Sequence, residues 1–270
     1  MTALGNIGFI GGGNMGEALI KGLIKSAVPA HNIRVAEPNE SRARQLTERY
    51  GVNCSSDAAE VVQHSNLIVL AIKPQVVPAA MPGIAAAFSD AKLLVSIAAG
   101  VTSRSLEEYF DGAPRVVRVM PNTPALAGAG ATALCAGLHA TKEDLATAIH
   151  LFEGVGTVHV VSETQMDAVT GLSGSGPAYV YMVIEAMAAG GVLEGLPMDT
   201  ALALATQTVF GTAQLVKESG EHPAVLRDKV CSPGGTTIAA VKELEEKGLR
   251  AALIKGVSKA AKRSRELGKG

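Results

Sequence analysis

The sequence has 270 residues, 47% hydrophobic and 18% charged, which is apolar material for a full core and chain enough for two domains. A formal net charge of -1 gives no general attraction for nucleic acid or anionic membrane, and the basic residues from Lys259 to Arg265 read as a solvated helix face. Cys54, Cys135 and Cys231 lie far apart without C-x-x-C spacing, and the six histidines show no H-x-x-x-H pattern, so neither a disulfide framework nor a metal site is expected.

The N-terminus shows no basic leader followed by a signal-like apolar run. The most apolar stretch, Tyr179 to Leu193, is short for a bilayer span and contains Glu185, so it reads as a buried helix. A cytoplasmic protein without membrane or nucleic-acid partners is the expectation.

Near the start, an apolar strand from Asn6 to Ile10 runs into Gly11-Gly12-Gly13-Asn14-Met15-Gly16 and then a helical stretch, Glu17 to Ser26. This pattern suits a diphosphate: Gly11 can turn tightly, Gly13 lets the backbone approach the phosphates, and Gly16 lets the helix pack against the strand. The helix start adds unpaired N–H groups and a positive dipole end. A second strand, Ile33 to Ala36, follows, and Glu37 stands about 20 residues past the glycines, where an acidic group faces the adenosine ribose. The alternative is a glycine-rich turn that serves packing alone.

Further strands are expected near Leu67 to Ile72, Leu93 to Ile97, Val116 to Met120, Ala131 to Cys135 and Thr157 to Val161. Helices are expected over Glu40 to Tyr50, Ala58 to His64, Gln75 to Phe88, Ser103 to Phe110 and Lys142 to Phe152. Such alternation means an α/β domain with a mostly parallel sheet covered on both faces, and its ligands collect beyond the carboxyl ends of the strands. Those positions carry Lys73-Pro74, Ala98-Ala99-Gly100 and Pro121-Asn122-Thr123-Pro124. Lys73 reads either as a cofactor contact or as a solvated strand-end lysine, and Asn122 and Thr123 can be turn residues only.

Beyond Val161 the β pattern stops, and from Met166 the period is helical, broken at 195–197, 220–223, 232–235 and 248. The expected boundary leaves residues 1–163 as a dinucleotide-binding domain and 164–270 as an all-helical one. Small-residue runs at 186–191 and 201–205 allow close helix approach, inside one chain or between copies, and a helical half this thin favours dimer formation.

Two segments interrupt the helical half. The run from Gly171 to Tyr179, with three glycines, two serines and a proline, suggests a tight crossing or a ligand approach. The run Cys231-Ser232-Pro233-Gly234-Gly235-Thr236-Thr237 precedes a helix from Ile238 to Lys247 and presents N–H groups that can accept a small carboxylate, with a neutral hydroxyl beside it. Thr236 or Thr237 can instead simply cap that helix. A nicotinamide on the sheet and a carboxylate loop without a positioned acid fit reduction of an imine. A ketone needs a proton donor for its developing oxyanion, whereas a cyclic imine can arrive protonated.

The motifs FIGGGNMG, LAIKPQ, SIAAGV, RVMPNTPA, GLSGSGPAY and VCSPGGTT, in this order and spacing, closely resemble the pyrroline-5-carboxylate reductases over essentially the whole chain. The resemblance implies a Rossmann domain followed by an all-helical dimerisation domain, active sites where two subunits meet, and assemblies of dimers. It implies NADP(H)- or NAD(H)-dependent reduction of the small molecule 1-pyrroline-5-carboxylate to L-proline, the last step of proline biosynthesis. Ile10 with Gly11, Gly12, Gly13, Asn14, Met15 and Gly16 would then hold the pyrophosphate, and Ala71, Ile72, Lys73, Pro74, Ala98 and Ala99 would line the dinucleotide; Glu37 is placed at the ribose by its spacing alone. Ser232, Gly234, Gly235 and Thr236 would hold the substrate carboxylate, and Thr237, the catalytic candidate, would hydrogen-bond the ring nitrogen. Glu163, at the domain junction, would come near the substrate, with a solvated carboxylate as the alternative.

Many members of that family carry a small polar or basic residue where Glu37 stands. A carboxylate there favours the free 2′-hydroxyl of NADH and repels the phosphate of NADPH, while Arg42 and Arg44 can offset the repulsion, so the choice of cofactor stays open. Two other functions are compatible with parts of the pattern. A β-hydroxyacid dehydrogenase expects a lysine on the helix after its glycine-rich segment, and none follows Gly176. A non-catalytic dinucleotide sensor would have no use for the second loop.

Overall fold

The computed structural model describes residues 4–268. Eight strands form one sheet in the order β3-β2-β1-β4-β5-β6-β7-β8. They are β1 (Ile7–Ile10), β2 (Ile33–Ala36), β3 (Asn53–Ser55), β4 (Leu67–Leu70), β5 (Leu93–Ser96), β6 (Arg115–Met120), β7 (Gly130–Ala136) and β8 (Gly156–Val160). All neighbours run parallel except β6 and β7, which pair antiparallel with Met120 opposite Ala133. The reversal follows from the short connection 121–129, which is too short for a crossover helix and so can only turn the chain back.

Helices α1 (Asn14–Lys25), α2 (Glu40–Tyr50) and, later in the chain, α6 (Lys142–Glu153) cover one face. Their Leu19, Leu46 and Phe152 pack with Phe9, Val35 and Val95. Helices α3 (Ala58–Gln63), α4 (Val77–Ala87) and α5 (Ser103–Glu107) cover the other, where Val62, Met81 and Leu106 meet Ile10, Ile68 and Leu94. With both faces covered, β1, β4 and β5 are buried along their whole length, which is why they read as unbroken apolar runs. Local chemistry sets the helix ends: Asn39 accepts the Arg42 N–H to cap α2, Gly51 ends it at φ 70, and Thr141 and Asp144 form a reciprocal cap on α6.

Three expectations change in this region. Strand β3 has no alternating pattern of its own and forms because β2 presents a free edge, pairing Arg34 with Asn53. Helix α1 begins at Asn14 rather than Glu17, because the end of the glycine loop is already its first turn. Helix α5 stops at Glu107 rather than Phe110.

The remaining helices are α7 (Met166–Val169), α8 (Gly176–Leu193), α9 (Met198–Ser219), α10 (Pro223–Lys229), α11 (Thr236–Glu246) and α12 (Leu249–Leu267). Two compact units result, one running to Ser175 and regaining the chain from Lys259, the other spanning Gly176–Ser258. The first unit thus extends past residue 163, where the sequence pattern changes, because Met166 is buried with Ala133 and Cys135 of β7 and Met120 and Val169 pack against them. In the second unit α8 and α9 meet through Ala188, Ala201 and Ala205, the small-residue runs of the sequence. Helix α8 is not buried as expected: Ala188 alone of its residues is, since α9 covers only a narrow strip. The helical stretch Glu163–Leu193, 31 residues, is long and apolar enough to cross a membrane by length and composition.

Candidate functional site

In the first unit the parallel register brings Ile10, Ala36, Leu70 and Ser96 into one row. The residues beyond them, Gly11, Glu37, Ala71 and Ile97, therefore form the carboxyl edge of the sheet. Gly11 has φ 101, and a Cβ there would lie 2.6 Å from the Ala71 carbonyl and 2.9 Å from the Ile72 side chain, so the start of the loop is wedged against the end of β4. A Cβ on Gly16 would lie 2.8 Å from the Gly11 carbonyl, which fixes α1 close beneath the loop. Gly13 faces open space, with nothing within 4 Å of a built Cβ. The first bond of α1 runs from Glu17 N–H to the Gly13 carbonyl at 2.9 Å, and Gly13 makes no side-chain cap. Among the described residues the N–H groups of Asn14, Met15 and Gly16 consequently have no acceptor in the chain. Open space bordered by unpaired N–H groups and a helix dipole fits the diphosphate of NAD(P)H.

Around this loop lies a charge network that the sequence did not disclose. Glu37 accepts the Gly12 N–H on Oε2 and the Asn39 N–H on Oε1, both at 3.0 Å. Arg42 Nε donates to the Gly12 carbonyl at 2.7 Å, and its Nη2 donates to Glu17 at 2.6 Å. Glu17 also accepts from Arg49 Nη1 and the Tyr50 hydroxyl, both at 2.7 Å. Burial acts to raise the Glu17 pKa, but the hydrogen bonds from Arg42, Tyr50 and Arg49 outweigh it and hold the carboxyl at about 2. Lys73 is exposed and starts the tight turn Pro74–Val76, while Ala98 is buried and its N–H reaches Ser96 Oγ at 3.3 Å.

Two residues whose bland readings were a turn and a solvated carboxylate have other roles. Asn122 is buried, accepts the Ala131 N–H on Oδ1 at 2.8 Å and donates Nδ2 to the Ser173 carbonyl at 3.1 Å. Glu163 receives Arg118 Nη1 at 2.5 Å, Ser103 Oγ at 2.9 Å and Cys135 Sγ at 3.1 Å. Burial pushes its pKa up, but Arg118, Cys135 and Ser103 together leave it below the usual carboxylate range. The same burial, with Glu163 as neighbour, pushes the Cys135 thiol up to about 12, so it stays protonated and unreactive. Glu163 is thus half of an ion pair with buried Arg118, a partnership between residues 45 apart that no local motif announces.

In the second unit the loop before α11 turns at Gly234, φ 68, and closes with Gly235 N–H on the Ser232 carbonyl at 3.0 Å. Gly235 is the capping position and supplies no side chain, so neither Thr236 nor Thr237 caps the helix. The N–H groups of Thr236, Thr237 and Ile238 have no acceptor among the described residues, since the first helical bond is Ala239 N–H to the Gly235 carbonyl at 3.4 Å. The Thr237 hydroxyl, half-buried, has no partner among the described residues either. Three convergent donors and a free hydroxyl accept a small carboxylate and one further polar atom. Among the described residues no group of three or more His, Cys, Asp or Glu side chains could hold a metal ion.

Residues 163–267 match the family model described as pyrroline-5-carboxylate reductase dimerisation, and residues 6–100 match the one described as NADP oxidoreductase, coenzyme F420-dependent. A pyrroline-5-carboxylate reductase of Arabidopsis thaliana is 48% identical over 97% of this chain and 95% of its own. The structure of a pyrroline-5-carboxylate reductase from Coxiella burnetii superposes with a TM-score of 0.93 at 36% identity, covering 99% of this chain and 100% of the other. The Plasmodium falciparum pyrroline carboxylate reductase solved with NADP bound gives 0.89 at 31% identity, covering 99% and 100%. Likeness of this extent embraces both the glycine loop and the uncapped start of α11, and the chain belongs to the pyrroline-5-carboxylate reductase family.

Proposed function

We propose that the chain reduces 1-pyrroline-5-carboxylate to L-proline at the expense of NAD(P)H, with the loop before α11 as its substrate site. The observation that carries this reading is the start of α11, where among the described residues three N–H groups and the Thr237 hydroxyl have no partner and Gly235 brings no capping side chain. Ser232, Gly234, Gly235 and Thr236 hold the substrate carboxylate, and Thr237 orients the ring nitrogen. Ile10 to Gly16, Glu37, Ala71 to Pro74, Ala98 and Ala99 receive the dinucleotide. Glu163 is left out of the substrate set because its oxygens already serve Arg118, Ser103 and Cys135.

When bound, the dinucleotide would supply a hydride to the imine carbon, C2 of the pyrroline ring, which becomes Cδ of proline. The protonated C=N accepts that hydride and its π electrons become the lone pair of the product amine, so no acid on the protein is needed. What remains for the chain is orientation and exclusion of water. A second copy covers the apolar faces of the helical unit, making a homodimer and excluding membrane insertion. Three unpaired thiols favour a reducing compartment, the cytoplasm. Neither a β-hydroxyacid dehydrogenase nor a cofactor sensor accounts for the substrate loop.

The test is direct. Purified protein should oxidise NADH or NADPH only when 1-pyrroline-5-carboxylate is added, with L-proline recovered one for one; loss of reduced cofactor that ignores the substrate, or none at all, overturns the reading.

A further inference from the structure

The carboxylate at the end of β2 is fixed in place, and the cation that could neutralise a neighbouring phosphate is already committed. Glu37 is held through both oxygens by backbone N–H groups of Gly12 and Asn39, so it cannot swing aside for a ligand without leaving two donors unpaired. Each oxygen retains a lone pair for a ribose hydroxyl. Glu40, in the first turn of α2, adds a second negative charge.

Arg42 faces the other way, with its Nε on the Gly12 carbonyl and its Nη2 on Glu17. Recruiting it to a 2′-phosphate would strip Glu17 of one of its three donors and break a charge-assisted pair. Arg44, two residues further on, projects about 200° around the helix from Arg42 and is exposed on the outer face. Lys73 follows β4, which lies two strands from β2 across β1, roughly 10 Å away. Among the described residues of the β2–α2 turn there is therefore no free cation to meet a phosphate.

The geometry points to Glu37 as the residue that selects the cofactor, making this chain an NADH-preferring member of its family. The inference rests on the reductase reading for its reaction but on the β2 carboxylate alone for its selectivity. An adenosine 2′-phosphate carries close to two negative charges and would sit against a fixed carboxylate without compensation, whereas a 2′-hydroxyl donates to it.

Equilibrium titration calorimetry of the full-length protein without substrate, with NADH and with NADPH, tests this independently of catalysis. The expected dissociation constant for NADH is at least about tenfold below that for NADPH. Glu37→Gln removes the charge, though its amide oxygen can accept only one of the Gly12 and Asn39 N–H groups, so both cofactors lose some order at the turn while the ratio of the NADPH to the NADH dissociation constant should fall about tenfold. Glu37→Ser should go further and bring the two cofactors level or reverse their order. Equal or tighter NADPH binding by the unaltered protein overturns the inference, as does a Glu37→Gln protein whose ratio of NADPH to NADH dissociation constants is the same as before. A protein that binds in the expected ratio but does not reduce 1-pyrroline-5-carboxylate leaves the inference standing and removes only the assigned reaction.

Discussion

A threonine hydroxyl in the first turn of a helix ordinarily caps it or bonds back along it, and among the described residues Thr237 does neither. Replacing it with alanine should lower turnover on 1-pyrroline-5-carboxylate roughly tenfold or more, the equivalent of one lost hydrogen bond of about 1.4 kcal/mol. The NADH dissociation constant should stay unchanged, and Thr237→Ser should restore most of the rate; steady-state kinetics beside a cofactor titration separates the two effects. Glu17 lends itself to a pH measurement. Its folded pKa of about 2 lies below the ordinary 4.5, so the carboxylate adds stability above pH 4.5 that is lost as pH falls toward 2. Glu17→Gln should cost roughly 2 kcal/mol at neutral pH, a figure discounted because Arg49 is largely exposed, and should flatten the decline of stability between those pH values in urea titrations. Backbone geometry was legible where it sits in a contiguous motif, as in the tight turn at Gly11 and the turn at Gly234 that leads into α11. Side-chain pairing was illegible at Glu17, whose partners stand 25, 32 and 33 positions away and meet it only when α1 and α2 pack.

The interrupted helix between α7 and α8 shows how one element depends on another. The chain there winds through a π-turn, Thr170–Gly174, closed by Ser175 N–H on the Thr170 carbonyl at 2.8 Å. The Ser173 carbonyl would look four residues ahead for a donor, but Pro177 has no N–H to offer. Asn122, just past β6, supplies the donor from its side chain and with the same amide accepts Ala131 N–H at the start of β7. Asn122→Ala leaves a half-buried N–H and a carbonyl without their partner, a cost of about 1–2 kcal/mol, and should speed hydrogen exchange at residues 170–176 and at Ala131 ahead of the rest of the sheet. Uniform exchange across both segments would reduce Asn122 to a turn residue. Long apolar strands and amphipathic helices were readable because their periodicity is local. The π-turn was visible only as a surplus of glycine, serine and proline, and β3, three residues long, carried no pattern until β2 gave it a partner.

At the scale of the molecule, the change from β to helical periodicity near residue 163 is a property of the sequence, whereas the compact units are a property of packing. The two diverge because Met166 is buried on the sheet and because the chain from Lys259 rejoins the first unit, where Ser264 Oγ donates to Asp167 at 2.6 Å. Apolar content was easy to read from composition, but composition does not say whether a helix is covered by its own chain or by another. In the second unit Tyr181, Met182, Leu193, Phe210 and Ile254 are each at least 60% exposed, more large apolar surface than a stable monomer leaves in water. Covering it with a second copy removes apolar area from water on both chains at once, and a helical unit so poor in internal core gains most of its stability that way. Folding and association should then be coupled, so the thermal midpoint should rise as protein concentration is raised and sedimentation velocity at micromolar concentration should show a dimer or a multiple of it. A monomer whose midpoint is independent of concentration would mean that these faces are stable in water uncovered.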